Sequence, residues 1–225
     1  MPAALGYRGV VVIRVAGILL AAGDGTRLGQ PKATVELNGA TLAERGVALL
    51  RAGGADPVIV VTGAVTVAVP GTVTVRNEDW ASGMGSSLVA GLRAAGADRE
   101  CADRECADGE GAAGVAAAVI ALADQPLIGP ESVRRLIAAH AAGASVAVAA
   151  YDGKPRNPVL IARGHWPEVI TMASGDAGAR PFLRAHPDLV TLVECDDTGS
   201  PDDIDTPEEL ARVRALTPPA PPTGR

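Results

Sequence analysis

Short apolar runs alternate along the chain with stretches in which apolar residues recur every three or four positions. A bounded apolar run of about four to eight residues predicts a buried strand, and the wider spacing predicts an amphipathic helix. The predicted strands are residues 15–20, 57–62, 67–75, 115–123, 144–150 and 189–194, and the predicted helices are 41–52, 85–95 and 131–142.

Two helices carry further sequence markers at their starts. Pro130 stands just before the stripe of 131–142, at the first-turn position that proline favours. Thr206 and Glu209 flank Pro207 in a capping-box pattern, which predicts a last helix beginning there. Strands and helices that alternate at these lengths predict an α/β fold, with one three-layer domain built on a mostly parallel sheet that has helices on both faces.

The composition limits how the core can be built. Hydrophobic residues make up 48% of the 225, but aromatic ones only 2%, so aliphatic side chains must fill strands that are buried on both faces. The predicted domain spans 15–216 and follows an N-terminal extension at 1–14. The charged repeat ADRECADRECADGEG at 97–111 is predicted to be a surface insertion, and the proline-rich residues 217–225 to be a disordered tail.

The charge and the hydropathy of the chain exclude several classes of partner, and the cysteine spacing indicates no paired site. The net charge is −6 and no basic tract occurs, which argues against nucleic acid and anionic membranes as partners. No apolar run reaches the ~20 residues that span a bilayer, and Arg14 interrupts the apolar start, so we expect a cytoplasmic protein with no membrane partner. The three cysteines form no CxxC pair and are predicted to be free thiols.

The stretch GILLAAGDGTRLGQPKA, at 17–33, resembles two known phosphate-binding loops and fits neither. Gly23, Gly25 and Gly29 give G-x-G-x-x-x-G, one residue longer than the dinucleotide-binding turn. Pro31 cannot lie inside the helix that this turn requires. The ATP-binding loop needs a wider glycine spacing followed directly by Lys and Ser or Thr. The spacing therefore disfavours an oxidoreductase on a dinucleotide-binding fold.

The same loop nevertheless has the properties of a polyphosphate site. A strand end delivers a flexible loop whose successive backbone N–H groups can face an anion. Arg27 and Lys32 add two positive charges on the same short segment of an acidic protein. We therefore predict that the loop binds polyphosphate.

At these residues the chain resembles the molybdenum cofactor nucleotidyltransferase family, whose signature is L-A-[AG]-G-x-x-x-R-[ML]-G-x-x-K. The resemblance implies a Rossmann-like nucleotidyltransferase domain in which Arg27 and Lys32 hold the triphosphate. It also implies that Ala22, rather than glycine, favours CTP over GTP. The remaining nucleotide-binding residues of the loop would be Leu20, Ala21, Gly23 and Gly25, largely through their backbone.

A second segment, NEDWASGMGSSLVAGL at 77–92, is similar to the region near the base and ribose in the molybdopterin cytidylyltransferase branch of that family. Small residues there allow close backbone approach, and two serines open a helix whose N–H groups favour an anion or carbonyl. The predicted nucleotide-binding residues are Asn77, Gly83, Ser86 and Ser87. Trp80 is interpreted as a packing residue.

Two aspartates are candidates for holding a metal ion. Asp124 follows a predicted buried strand, at the sheet edge where α/β folds bind ligands, and oxygen ligands shared with phosphates suit Mg²⁺. Asp205, in DDIDTPEEL, matches an acidic position of the family, with Asp203 as the alternative. The predicted catalytic residues are Arg27, Lys32 and Asp124, with Mg²⁺ as the cofactor.

The resemblance implies that CMP is transferred from CTP to a phosphorylated acceptor, most simply molybdopterin, with release of pyrophosphate and a molybdoenzyme as a further partner. Asn157, Asp176 and Arg180 lie in segments similar to the family's acceptor motifs. An acceptor phosphate needs no general base, in keeping with the absence of a Ser–His or Cys–His motif. Alternatives left open are guanylyl transfer, cytidylyl transfer to another phosphorylated small molecule, and a non-catalytic cofactor carrier.

Overall fold

The computed structural model describes residues 14–105 and 114–216, with only the backbone course for 98–105. The strands are β1 Val15–Ala21, β2 Glu36–Leu37, β3 Ala40–Thr41, β4 Val58–Thr62, β5 Val73–Arg76, β6 Ala117–Leu122, β7 Val146–Tyr151, β8 Lys154–Ala162 and β9 Val190–Glu194. The helices are α1 Leu42–Ala52, α2 Met84–Glu105, α3 Pro130–Ala141, α4 Trp166–Met172, α5 Arg180–Ala185 and α6 Pro207–Leu216.

Seven strands of the described chain form one sheet in the order β5-β4-β1-β6-β8-β7-β9. The strands β5, β4, β1 and β6 run parallel to one another, and β9 runs parallel to β7. The strand β8 runs antiparallel to both β6 and β7. The mostly parallel sheet predicted from the alternating pattern is therefore confirmed.

Helices cover both faces of this sheet, which confirms the three-layer α/β fold. On one face, Leu50 of α1 and Leu136 of α3 pack with Leu19 of β1 in a buried cluster. On the other, Leu88 of α2 and Ile18 of β1 share a second cluster with residues of α4 and α5. Successive residues of β1 thus point to opposite cores, as expected of a strand buried on both faces.

The helix starts predicted from capping signals are confirmed. Thr206 Oγ1 accepts a hydrogen bond from the Glu209 backbone N–H, and Glu209 Oε2 accepts one from the Thr206 N–H. Pro130 is the first residue of α3. The capping box fixes where α6 begins and so also fixes the segment that carries Asp205.

The structure differs from the sequence predictions in several features, and the short elements β2, β3, α4 and α5 were not predicted at all. The strand predicted at 67–75 forms only at β5, because Pro70 lacks an N–H and Gly71, at φ 71°, turns the chain. The strand β8 was not predicted, since its charged first half lacks an apolar run. The helix predicted to end near residue 95 continues to Glu105 and so includes the start of the 97–111 repeat.

Three predicted segments lie wholly or partly outside the described residues: the extension at 1–14, the end of the repeat, and the tail at 217–225. Within the described ranges no helix is both long and apolar enough to cross a membrane. The described cysteine side chain, Cys195, is buried and free, and this burial raises the pKa of its thiol.

Candidate nucleotide-binding site

A cavity of about 530 Å³ opens at the carboxyl ends of β1 and β6. This is the edge at which open α/β sheets bind ligands, and the volume lies within the ~300–1,000 Å³ usual for small-molecule sites. The first loop, the end of β6 and the start of α2 form its walls. The sequence-predicted residues that line it are Leu20, Ala21, Ala22, Gly23, Gly25, Arg27, Lys32, Gly83, Ser87, Asp124 and Asp176.

The loop after β1 is shaped by local hydrogen bonds and one obligatory glycine. Asp24 Oδ2 accepts from the Thr26 hydroxyl at 2.7 Å, and Oδ1 accepts from the Thr26 N–H at 3.2 Å. These bonds lower the pKa of Asp24. Gly25 has φ 65°, and a Cβ there would overlap the carbonyl oxygen of Gln30. The loop is therefore folded back on itself before it reaches Lys32.

Lys32 connects this loop to two carboxylates from distant parts of the chain. Its Nζ lies 2.7 Å from Asp124 Oδ2, after β6, and 2.5 Å from Asp205 Oδ1, before α6. Arg27 Nη2 lies 2.8 Å from Asp205 Oδ2. The side chains of Lys32 and both aspartates are only 20–24% exposed, whereas that of Arg27 is 71% exposed. We call these four residues the charge network.

The charge network shifts the pKa values of its members. The hydrogen bond from Lys32, assisted by Arg27, lowers the pKa of Asp205 against the opposing effect of burial. Burial disfavours the charged form of Lys32, but the two carboxylates outweigh it and raise the pKa of the ammonium. Burial together with the charges of Asp124 and Asp205 raises the pKa of the neighbouring Asp203. Lys32 and Asp205 are thus held as an ion pair at neutral pH.

Asp124 keeps one carboxylate oxygen without a partner. Its Oδ1 is buried and makes no hydrogen bond within residues 14–105 and 114–216, although buried polar atoms nearly always have one. No group of three or more His, Cys, Asp or Glu side chains in those ranges is arranged to hold a metal. Two carboxylates with one free oxygen suit an ion that takes its other ligands from substrate phosphates and water.

The second predicted segment forms the opposite wall and is organised by Asn77. The buried amide of Asn77 donates to Ser86 Oγ at 2.8 Å and to Ser87 Oγ at 3.0 Å. Ser87 lines the cavity, whereas Asn77 and Ser86, also predicted to bind the nucleotide, are not among the lining residues. A Cβ on Gly83 would overlap the backbone of Gly175, so this glycine permits close approach of another protein loop.

The three predicted acceptor residues are not gathered as the charge network is. Asp176 lines the cavity, and its Oδ1 accepts a long hydrogen bond of 3.4 Å from the Met84 N–H at the start of α2. Asn157 in β8 and the exposed Arg180 at the start of α5 are not among the lining residues. They lie outside the cavity that most of the predicted nucleotide-binding residues line.

Sequence reasoning missed several residues that line the cavity, chiefly Asp24, Thr26, Trp80 and Met84. Asp24 could have been found, because an aspartate two positions before a threonine favours a side-chain turn of this kind. Trp80 was interpreted as packing, since nothing in its sequence context indicates which way the side chain faces.

Residues 17–190 match the MobA-like NTP transferase domain. The chain belongs to this family. The resemblance predicted from the loop signature is thereby confirmed, and so is the enzyme class, a nucleotidyltransferase.

Three relatives illustrate the range of the family. The nicotine blue oxidoreductase of Paenarthrobacter nicotinovorans is 38% identical, over 88% of this chain and 96% of that protein. A probable molybdenum cofactor guanylyltransferase of Opitutus terrae is 39% identical over 84 residues, which cover 37% of this chain and 42% of that protein. Rv0371c of Mycobacterium tuberculosis H37Rv superposes with a TM-score of 0.72 at 25% identity, and the match covers 90% of this chain and 98% of that one. The structure of Rv0371c is also known in complex with manganese.

Proposed function

We propose that the protein transfers CMP from CTP to a phosphorylated acceptor, molybdopterin in the first instance, and releases pyrophosphate. The observation that supports this most directly is the contact of Lys32 with both Asp124 and Asp205. It joins a cationic loop to a pair of carboxylates at the sheet edge, as binding of a metal–triphosphate complex requires. A nucleoside triphosphate substrate also fits the cytoplasmic location expected from the sequence.

In the proposed reaction an acceptor phosphate oxygen attacks the α-phosphorus of CTP. The new bond joins that oxygen to the α-phosphorus, and the bond that breaks joins the α-phosphorus to the oxygen leading to the β-phosphate. An acceptor phosphate is already ionised near neutral pH, so no side chain has to remove a proton. Lys32 and Arg27 orient the triphosphate and stabilise the negative charge that develops on the departing pyrophosphate.

We infer that Asp124 and Asp205 hold a divalent cation, Mg²⁺, when substrate is present. The unpartnered Asp124 Oδ1 supports this assignment, and Asp205 fits better than Asp203 because it belongs to the charge network. When bound, the ion would neutralise phosphate charge and polarise the phosphoryl oxygens. Lys32, freed from part of its contact with the carboxylates, would then be available to the phosphates.

The choice of CTP rests on Ala22, and the choice of acceptor on the family. Ala22 lines the cavity at the end of β1, at the position where the cytidylyl branch has alanine. The relationship to a molybdenum cofactor guanylyltransferase supports a molybdopterin-type acceptor and a molybdoenzyme as the receiver of the product. Asn157, Asp176 and Arg180 are the proposed acceptor-binding residues.

A thermal-shift panel of CTP, GTP, ATP and UTP with Mg²⁺ or Mn²⁺ tests the nucleotide assignment, because a ligand of the folded state raises its stability. We expect CTP with a divalent ion to give the largest rise. A larger rise in melting temperature with GTP would make GTP the proposed substrate instead of CTP. No rise with any nucleotide would contradict the proposal.

A second candidate is an oxidoreductase, and a specific observation favours it: the relative that is 38% identical over most of both chains is named nicotine blue oxidoreductase. Two assays separate the candidates. Pyrophosphate release from CTP plus acceptor supports the transferase, whereas substrate-dependent oxidation of NADH or NADPH, without pyrophosphate release, supports the oxidoreductase.

A further inference from the structure

The chain contains two tryptophans, and they lie in opposite environments. Trp166 is 4% exposed, and its Nε1–H donates to the Ile161 carbonyl at 3.0 Å. Trp80 is partly exposed and lines the cavity. Its indole N–H makes no hydrogen bond to any residue of the described chain. In a protein with so few aromatic residues, a flat ring on the wall of the substrate cavity calls for a reason other than core packing.

Trp80 is held in place by a glycine at the end of a neighbouring strand. Gly63 follows β4, and a Cβ there would overlap Trp80 Cβ, lie 2.6 Å from Cγ, and lie 2.7 Å from the Ala22 carbonyl oxygen. Only glycine therefore allows the base of the tryptophan side chain to sit against β4 beside Ala22. The base of the Trp80 side chain therefore lies at the point where the nucleotide loop begins.

The segment that carries Trp80 is also braced from behind. The Asp79 carbonyl accepts from the Ser82 N–H at 2.9 Å, from Ser82 Oγ at 2.7 Å and from Ser86 Oγ at 3.0 Å. The Asp79 N–H donates to Asn77 Oδ1 at 3.1 Å. These bonds join the short helical turn at Trp80 to the start of α2. A tryptophan on a backbone braced in this way is suited to stacking, because little backbone freedom is lost on binding.

The position of Trp80 relative to the charge network indicates what it stacks on. The loop runs from Ala22, beside Trp80, to Lys32, between the two aspartates. A triphosphate held by Lys32 and Arg27 therefore has its nucleoside directed toward the other end of the loop. We propose that Trp80 stacks against the nucleobase of the bound nucleoside triphosphate. This inference rests on the proposed nucleotide site and assigns its base-binding wall.

Tryptophan fluorescence tests the proposal, because Trp166→Phe leaves Trp80 as the sole tryptophan and Trp80→Phe leaves Trp166. We expect saturating CTP with Mg²⁺ to quench the emission of the first variant and to leave the second unchanged. Inorganic triphosphate with Mg²⁺, which has no base, should leave both unchanged. If Trp166→Phe fails to fold, the difference between the unmodified protein and Trp80→Phe gives the same information.

Affinity provides the second readout. Trp80→Ala should weaken CTP binding roughly 5- to 150-fold, the range that base stacking on an aromatic ring shows on alanine substitution, while inorganic triphosphate binds as before. Trp80→Phe should retain most of the affinity because it keeps a flat ring.

The failure of this inference is distinguishable from that of the proposed function. Normal CTP binding without quenching of Trp80, or equal loss of CTP and inorganic triphosphate in Trp80→Ala, would overturn the stacking assignment alone. Quenching by a free pterin but not by CTP would assign Trp80 to the acceptor site and would also overturn the stacking assignment. No binding of any nucleotide to the unmodified protein would overturn both proposals.

Discussion

The two predicted groups of site residues, for the nucleotide and for the acceptor, are assembled around this sheet in different ways. In the parallel half, the loops after β1 and β6 leave the sheet at the same edge, so Lys32 and Asp124 meet at 2.7 Å without any ligand. In the other half, β8 is reversed, and its pairing of Val159 with Ile120 puts Asn157 near that edge but not in the cavity. The proposed nucleotide side is prebuilt, whereas the proposed acceptor side is spread over separate elements.

Removing the central cation should give the largest effect. We expect Lys32→Met to lower kcat roughly 10²- to 10³-fold, the loss typical of deleting one preorganised group that stabilises transition-state charge. Steady-state pyrophosphate release measures it. Lys154→Met is the matched control, because Lys154 is the other lysine of the chain and is exposed in β8. Equal turnover in the two variants would mean that Lys32 has no special role in the reaction, and would contradict a prebuilt nucleotide site.

Neutralising the carboxylate after β6 should come next. Asp124→Asn keeps the shape of the side chain but removes the charge, so we expect about a 10²-fold lower kcat and weaker binding of Mn²⁺, measured by electron paramagnetic resonance in the presence of CTP. Asp202→Asn, at an exposed position near Asp205, serves as the control. Unchanged Mn²⁺ binding in Asp124→Asn would contradict the metal assignment.

The nucleotide half was also the more predictable half, for a physical reason. Arg27 and Lys32 belong to one contiguous signature, and Asp124 directly follows an apolar run, so parallel-sheet geometry alone brings them to one edge. Asp205 could be predicted only as one of two candidates, because the hydrogen bond that distinguishes it from Asp203 comes from Lys32, 173 residues away.

Other parts of the site could not be predicted. Gly63 has no sequence context that indicates a tryptophan against it, since the contact depends on how the turn after β5 packs on β4. The strand β8 was missed because its first half, KPRN, is charged and exposed. Its reversed direction determines where Asn157 lies, and no local pattern encodes it.

A smaller effect is expected in the acceptor half. Arg180→Ala should raise KM for the phosphorylated acceptor about tenfold, as expected from losing one charge-assisted hydrogen bond, and should leave the Kd for CTP unchanged. Arg184→Ala, exposed on the same short helix, is the control. A parallel loss of CTP affinity would mean that Arg180 contacts the nucleotide, so that the nucleotide-binding and acceptor-binding residues would not be separate groups.

The smallest effect concerns acid stability. The Lys32 contact lowers the pKa of Asp205 below its ordinary value of 3.8. The stabilisation from this pair is therefore present above pH 3.8 and is lost as the pH falls toward the lower, folded-state value. Below pH 3.8 the melting temperature of the unmodified protein should fall more steeply than that of Lys32→Met. Parallel slopes would indicate that the contact does not stabilise the fold.

We propose that the charge network directs the transfer of CMP, the α-phosphate with its cytidine, from CTP to an acceptor. The most direct test of this proposal follows CTP labelled separately at the α- and γ-phosphates, with divalent metal and molybdopterin. We predict that the α-label appears in the acceptor product and the γ-label in pyrophosphate, with both transfers reduced in Lys32→Met and intact in Lys154→Met. An α-label that remains in CTP, or a γ-label released as inorganic phosphate, would contradict the account.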